Sequence, residues 1–268
     1  MKFGRLRLAE AGGAILAHSL GLPDGKLKKG TRLGSAELAR LAAAGLAEVI
    51  AARLEPGDLA EDEAAARIGA ALAPDPAALG LTRSAPFTGR LNLHAATGGV
   101  AGIDAAAVAA INAVDEAVTL ATLPDRARVA ARQMVATVKI IPYAAPAAAV
   151  ARIEALIAAH GAPVLRVHPL ARASAGLILT RVAGMKPALV EKGAEAVRAR
   201  LRALGIRLAG EAVVDHDEAV LAAALATVPG EMVLILTGSA TSDRGDVGPG
   251  ALVAAGGRLT RFGMPVDP

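Results

Sequence analysis

Apolar residues recur at helical spacing at Leu38 and Leu41, with Ala42 beside them, behind Ser35 and Glu37. The spacing predicts a helix with Ser35 as N-cap, Glu37 in its first turn and Gly45 as its left-handed end. "EVIAARL", residues 48–54, then alternates as a strand and stops at "EPGD". A second helix is expected over residues 60–72, followed by "APDPAALG" as a linker. In the middle of the chain "GRLNLHAATGGVAGI" reads as strands and "DAAAVAAINAVDEA" as a helix. "RQMVATVKIIPY" reads as a β-branched strand that Pro142 ends, and "AAPAAAVARIEALIAAHGAPV" as a further helix. These shifts suggest three parts: residues 1–75, 76–170 and 171–268.

The last part is the most regular. "AGLILTR" is a continuous apolar run, as in a strand buried on both faces. A helix follows with Val190, Ala194, Val197, Leu201 and Leu204 along one face, ended by Gly205. "IRLAGEAVV", "DEAVLAAALATV" and "MVLILT" continue as strand, helix and strand. "PGALVAAGG" adds a short helix with Pro249 in its first turn, and "RLTRF" a closing strand. Strands alternating with helices imply an α/β fold with a doubly wound parallel sheet, preceded by smaller α+β parts. In such sheets ligands bind beyond the carboxyl ends of the strands.

Composition narrows the chemistry. Hydrophobic residues are 54% of the 268, but much of that is alanine, and no apolar run approaches the ~20 residues of a membrane span. The first residues, with Lys2, Arg5 and Arg7 ahead of an apolar patch, loosely imitate a signal peptide. Glu10 and His18 interrupt that patch, so a first strand running into a helix is preferred. With no cysteine, disulfides, thiolate metal sites and cysteine nucleophiles are excluded, and a cytoplasmic protein fits. The net charge of +4 is spread along the chain, and one Tyr and three Phe leave little for stacking nucleic-acid bases, so no nucleic-acid partner is expected. An anionic small ligand is compatible with this balance.

The segment "LILTGSATSDRGDVGPG", residues 234–250, is the leading candidate for such a ligand. Thr237 and Gly238 leave the strand; Ser239, Thr241 and Ser242 add hydroxyls, and the glycines allow close backbone approach. A helix N-terminus follows, whose free N–H groups and dipole favour phosphate, and Asp246 could hold Mg²⁺ against it. The competing reading is an ordinary βα loop whose aspartate caps the helix. Asp215, His216 and Asp217 crowd three potential metal ligands together, yet adjacent ligands seldom converge, and an aspartate ahead of a helix is usually its cap. His94 and His168 are isolated and read as structural. Lys28 and Lys29 open a polar turn, and Lys139 and Glu116 could pair.

"TGSATSDRGDVGP", residues 237–249, resembles the molybdopterin-binding loop of the MoaB/Mog fold, matching it at Thr237, Gly238, Asp246, Val247 and Pro249. "KKGTRLGSAELARLAAAGLAEV", residues 28–49, resembles a segment of molybdopterin molybdenumtransferase, and the likeness spans residues 12–55 and 175–268. The resemblance implies a molybdotransferase-like protein of molybdenum-cofactor biosynthesis, or a non-catalytic carrier of that cofactor. It places molybdopterin against Thr180, Thr237, Gly238, Ser239, Ala240, Thr241 and Ser242, with Asp246 as the essential carboxylate and Mg²⁺ ligand. ATP or AMP, molybdate and a second copy of the chain are the further partners it implies. The sequence departs from the family in three places. Ser239, Ala240 and Thr241 replace a Gly-Thr-Gly, "TRVAGMKPAL" lacks the carboxylates that follow the relatives' first strand, and relatives continue past the equivalent of Pro268. The last departure implies a truncated member or one lacking part of the site.

Overall fold

Residues 1–263 are described by the computed structural model, in which Met1–Pro169 forms the first of two units. It begins with β1 (Lys2–Arg7), β2 (Ile15–Leu16), β3 (Leu20–Leu22), β4 (Gly25–Leu27), α1 (Ser35–Ala43) and β5 (Glu48–Arg53). β5 lies between β1 and β2, antiparallel to both, and β3 pairs with β4. Leu16, Leu27, Leu33, Leu41 and Val49 bury their side chains together beneath this sheet. The helix expected directly after the first strand is a single 3-10 turn, Leu8–Glu10, because Gly13 at φ 77° swings the chain into β2 instead. α1 lies where its periodicity put it, with two differences. Its N-cap is Gly34, whose amide donates to Glu37 at 3.0 Å, so the acidic side chain satisfies an end group from inside the first turn. Ala42 is exposed, and Leu41 alone is fully buried.

The rest of the unit runs β6 (Asp58–Ala60), α2 (Glu61–Leu72), β7 (Leu81–Arg83), β8 (Arg90–Ala95), β9 (Gly99–Ile103) and α3 (Ala105–Asn112). It continues with β10 (Val118–Thr122), β11 (Arg128–Val129), β12 (Met134–Ile140), β13 (Ala144–Pro146), α4 (Ala147–Ala159) and β14 (Leu165–Pro169). The sheets are antiparallel: β10-β12-β8-β7, β11-β9-β14 and the pair β13-β6. One core cluster gathers side chains from Ala64 to Val167, so α2 packs with the middle of the chain. Alternation decides the faces. Leu91, Leu93, Val138 and Ile140 point inward and are fully buried, at about 1.5–3 kcal/mol each. Arg90, Asn92 and Lys139 take the opposite face, where Thr137 Oγ1 meets Asn92 Oδ1 at 2.8 Å. Lys139 therefore stands opposite Arg90, and no ion pair to Glu116 forms among the described residues.

The second unit starts at Leu170 and contains β15 (Ser174–Arg181), α5 (Pro187–Ala203), β16 (Arg207–Asp215), α6 (Glu218–Thr227), β17 (Met232–Leu236) and α7 (Val247–Ala254). The three strands are parallel in the order β16-β15-β17. β15 is buried over seven of its eight residues, as its unbroken apolar run predicts for a central strand. Leu177 and Leu179 pack against Ala194 of α5, while Ile178 packs against Leu221, Ala224 and Ala251 of α6 and α7. "RLTRF", residues 258–262, is not a strand: after α7 the Gly257 amide turns back to the Leu252 carbonyl, and these residues make no ladder with the sheet. Residues 264–268, which hold most of "GMPVDP", lie outside the described residues. The fold is mixed α/β, and among the described residues parallel pairing occurs only in the second unit, with antiparallel sheets elsewhere. No helix among the described residues is long and apolar enough to cross a membrane.

Candidate functional site

The order β16-β15-β17 makes the chain reverse direction across β15, so the loops after β15 and β17 part company at their carboxyl ends. Such a switch point is where open α/β sheets leave a crevice. Thr180, the penultimate residue of β15 and only 2% exposed, joins these loops. Its Oγ1 accepts the Gly238 amide at 2.8 Å and lies 2.8 Å from His216 Nδ1. The end of β15 and the loops following β16 and β17 thus meet on one buried hydroxyl. Gly238 is needed for this. A Cβ there would stand 2.7 Å from the Thr180 carbonyl oxygen and 3.2 Å from both Met185 Cε and the Val182 nitrogen.

Beyond Gly238, Ser239 and Ala240 are exposed, and Thr241 Oγ1 lies 3.4 Å from Thr237 Oγ1. Asp246 then organises the turn. Its Oδ2 accepts the amides of Ser242 and, at 3.0 Å, Asp243, while the Gly245 amide donates to Asp243 Oδ1 at 2.6 Å. Three backbone donors of the loop are satisfied by its own two carboxylates, in the manner of Asx turns. The amides of Asp243 and Ser242, with His216 nearby, hold the Asp246 carboxyl below its usual range. Asp246 stands at the N-cap position of α7 yet makes no capping bond forward into the helix; it reaches back across the loop. Its Oδ1 has no hydrogen-bond partner among the described residues.

The other acidic cluster separates. Asp217 caps α6 by accepting the Val220 amide at 3.0 Å, and Asp215 pairs with Arg181 at 2.9 Å. Among the described residues no group of three or more His, Asp or Glu side chains is gathered to hold a metal. The Asp215–His216–Asp217 triplet is therefore divided by function: an ion pair, a bridge to Thr180, and a helix cap.

An open cleft of about 550 Å³ lies at the ends of β15 and β16, lined by Arg181, Val182, Gly184, Met185, Asp215 and His216. It adjoins the 237–246 loop through His216 and Thr180. His216 is the residue sequence reasoning undervalued, since its partner Thr180 is 36 residues away. The available signal was its position directly after a strand. His94 and His168 take ordinary strand positions in the first unit, in register with Met134 and Val100.

The chain matches no known family model, no curated protein and no solved structure.

Proposed function

We propose that the second unit binds the phosphate end of a molybdopterin-type pterin, as a cytoplasmic protein of molybdenum-cofactor biosynthesis with a doubly wound MoaB/Mog-like sheet. The observation that carries this reading is the joining of Gly238 and His216 on Thr180 Oγ1, which ties the candidate loop to the carboxyl ends of the strands. The loop there retains Thr237, Gly238, Asp246, Val247 and Pro249 of the family pattern. The hydroxyls of Thr237, Thr241 and Ser242 offer donors to a phosphate, and the start of α7 adds a favourable dipole. Mg²⁺ is commonly held by one or two carboxylates together with substrate phosphate, so Asp246 Oδ1, free beside an occupied Oδ2, fits that part. Bound there, Mg²⁺ supplies neutralisation of phosphate charge; the chain itself fixes the loop and holds the carboxylate ionised.

Titration of the full chain with molybdopterin, with and without Mg²⁺, tests the proposal. Micromolar or tighter binding is expected, with its Mg²⁺ dependence abolished in Asp246→Asn. Unchanged Mg²⁺-dependent affinity in that variant would remove Asp246 from the site.

A second reading is a carrier that hands the cofactor on without chemistry. It is favoured by the self-satisfied amides of Ser242, Asp243 and Gly245, which the loop's own carboxylates already occupy. Release of AMP from adenylylated molybdopterin in the presence of molybdate separates a molybdotransferase from a carrier. Sedimentation of the same preparation tests the homo-oligomer that the resemblance implies.

A further inference from the structure

A separate hollow of about 810 Å³ opens in the first unit, lined among others by Lys29, Glu61, Phe87, Arg90, Lys139 and Tyr143. Its volume lies within the range of small-molecule sites and far exceeds that of a bare phosphate. Three cations line it, two from strands and Lys29 from the turn after β4, and none makes an ion pair with a carboxylate among the described residues. Arg90 on β8 and Lys139 on β12 are directly opposite each other in antiparallel register. Like charges at facing positions destabilise a strand pair unless an anion lies between them. Lys29 also lines the hollow, with its Nζ 5.7 Å from the centre of the Tyr143 ring.

Aromatic placement points the same way. The chain has only one Tyr and three Phe, and two of these four line the hollow, with a third stacked on one of them. Phe87 lines the hollow while 75% exposed, and Tyr143, which also lines it, is stacked on Phe3 at 6.2 Å. A protein this poor in aromatics has not used them for its core. Phe87 is held out by a tight hairpin in which it pairs with Arg90, and both turn residues, Thr88 at φ 50° and Gly89 at φ 70°, are left-handed. A β-branched residue in that region is strained, and such strain concentrates where a side chain must be aimed. The Gly89 amide donates to Asp62 at 2.7 Å, which fixes the turn to the start of α2. Glu61, the neighbouring residue, brings a carboxylate to the hollow.

We infer that this hollow is a nucleotide site: the phosphate of a nucleoside monophosphate lies between Lys29, Arg90 and Lys139, its base stacks on Phe87, and Glu61 accepts N–H groups of the base edge. Guanine presents two adjacent N–H donors to one carboxylate, whereas adenine presents its single amino group, so GMP is the preferred ligand. The site is independent of the pterin loop, which belongs to the other unit.

Calorimetric titration of the full chain with GMP, AMP and orthophosphate at low salt is the test. GMP should bind saturably, at least tenfold tighter than orthophosphate, and more tightly than AMP. Lys139→Ala and Arg90→Ala should each weaken GMP about tenfold, and Phe87→Ala about fivefold. Because Arg90 and Lys139 repel each other in the free protein, neither variant should melt below the parent, so lost binding is not lost folding. No saturable GMP binding up to millimolar concentration, or equal affinities in the parent, Lys139→Ala and Phe87→Ala, overturns the site. Orthophosphate binding as tightly as GMP overturns it as well, since that describes an anion hole without a base platform.

Discussion

Thr180 Oγ1 and His216 Nδ1 lie 2.8 Å apart, across the carboxyl ends of two neighbouring parallel strands. The same oxygen accepts the Gly238 amide, so one buried hydroxyl fixes the exits of all three strands of the sheet.

Thr180→Val keeps the shape and removes the acceptor. The Gly238 amide then loses its partner, at a cost of about 1–3 kcal/mol. Urea unfolding should show that loss, and amide exchange at Gly238 should accelerate. Thr180→Ser, which retains the oxygen, should recover most of both.

Gly238→Ala tests close approach instead of hydrogen bonding. The added methyl meets the Thr180 carbonyl oxygen at 2.7 Å, and backbone cannot yield as a flexible side chain does. The 237–246 loop should shift, with ligand affinity falling at least tenfold while the far-ultraviolet circular dichroism is retained. Wild-type affinity in this variant would show that the loop does not need its seat on β15.

Asp217→Ala separates a cap from a metal ligand. Loss of the bond from the Val220 amide should destabilise the second unit by about 0.5–2 kcal/mol. Mg²⁺ dependence of ligand binding should not change. If it does, Asp217 belongs to the site and not only to α6.

Acid should loosen the second unit at two defined places. The amides of Asp243 and Ser242 hold Asp246 below its usual 3.8, and those of Ala173 and Ser174 hold Glu231 below 4.5. For a carboxylate depressed in the folded state, the stabilisation is complete above its unfolded pKa and disappears as pH falls through the folded one. Exchange at Ser242, Asp243, Ala173 and Ser174 should thus be constant near neutrality and rise, relative to unstructured peptides, as pH falls below about 4. Asp246→Ala should abolish this pH dependence at Ser242 and Asp243 alone.

Much of the second unit was legible in order along the chain. Periodicity located β15, α5, β16, α6 and β17, because a central parallel strand must be apolar on both faces and a covering helix on one. It failed at "RLTRF", where short alternation met no partner strand among the described residues. It also placed Ser35 as the cap of α1, where Glu37 had already satisfied the end of the helix. In the candidate site, residue type and position singled out Gly238 and Asp246, and the family resemblance added Thr180, but neither said what these residues do to one another.

Residue order alone located most of the helices and strands of the second unit, established that no thiol chemistry is present, and put a small-residue loop after "MVLILT". These depend on local backbone preference and side-chain chemistry, which short windows of sequence contain. Tertiary structure decided that Thr180, His216 and Gly238 share one hydrogen-bonded point, that Asp246 turns back on its own loop, and that Arg90 faces Lys139 in a hollow flanked by aromatics. Each of these is a pairing in space between residues far apart or turned by a loop, and strand register, not spacing along the chain, sets which side chains meet.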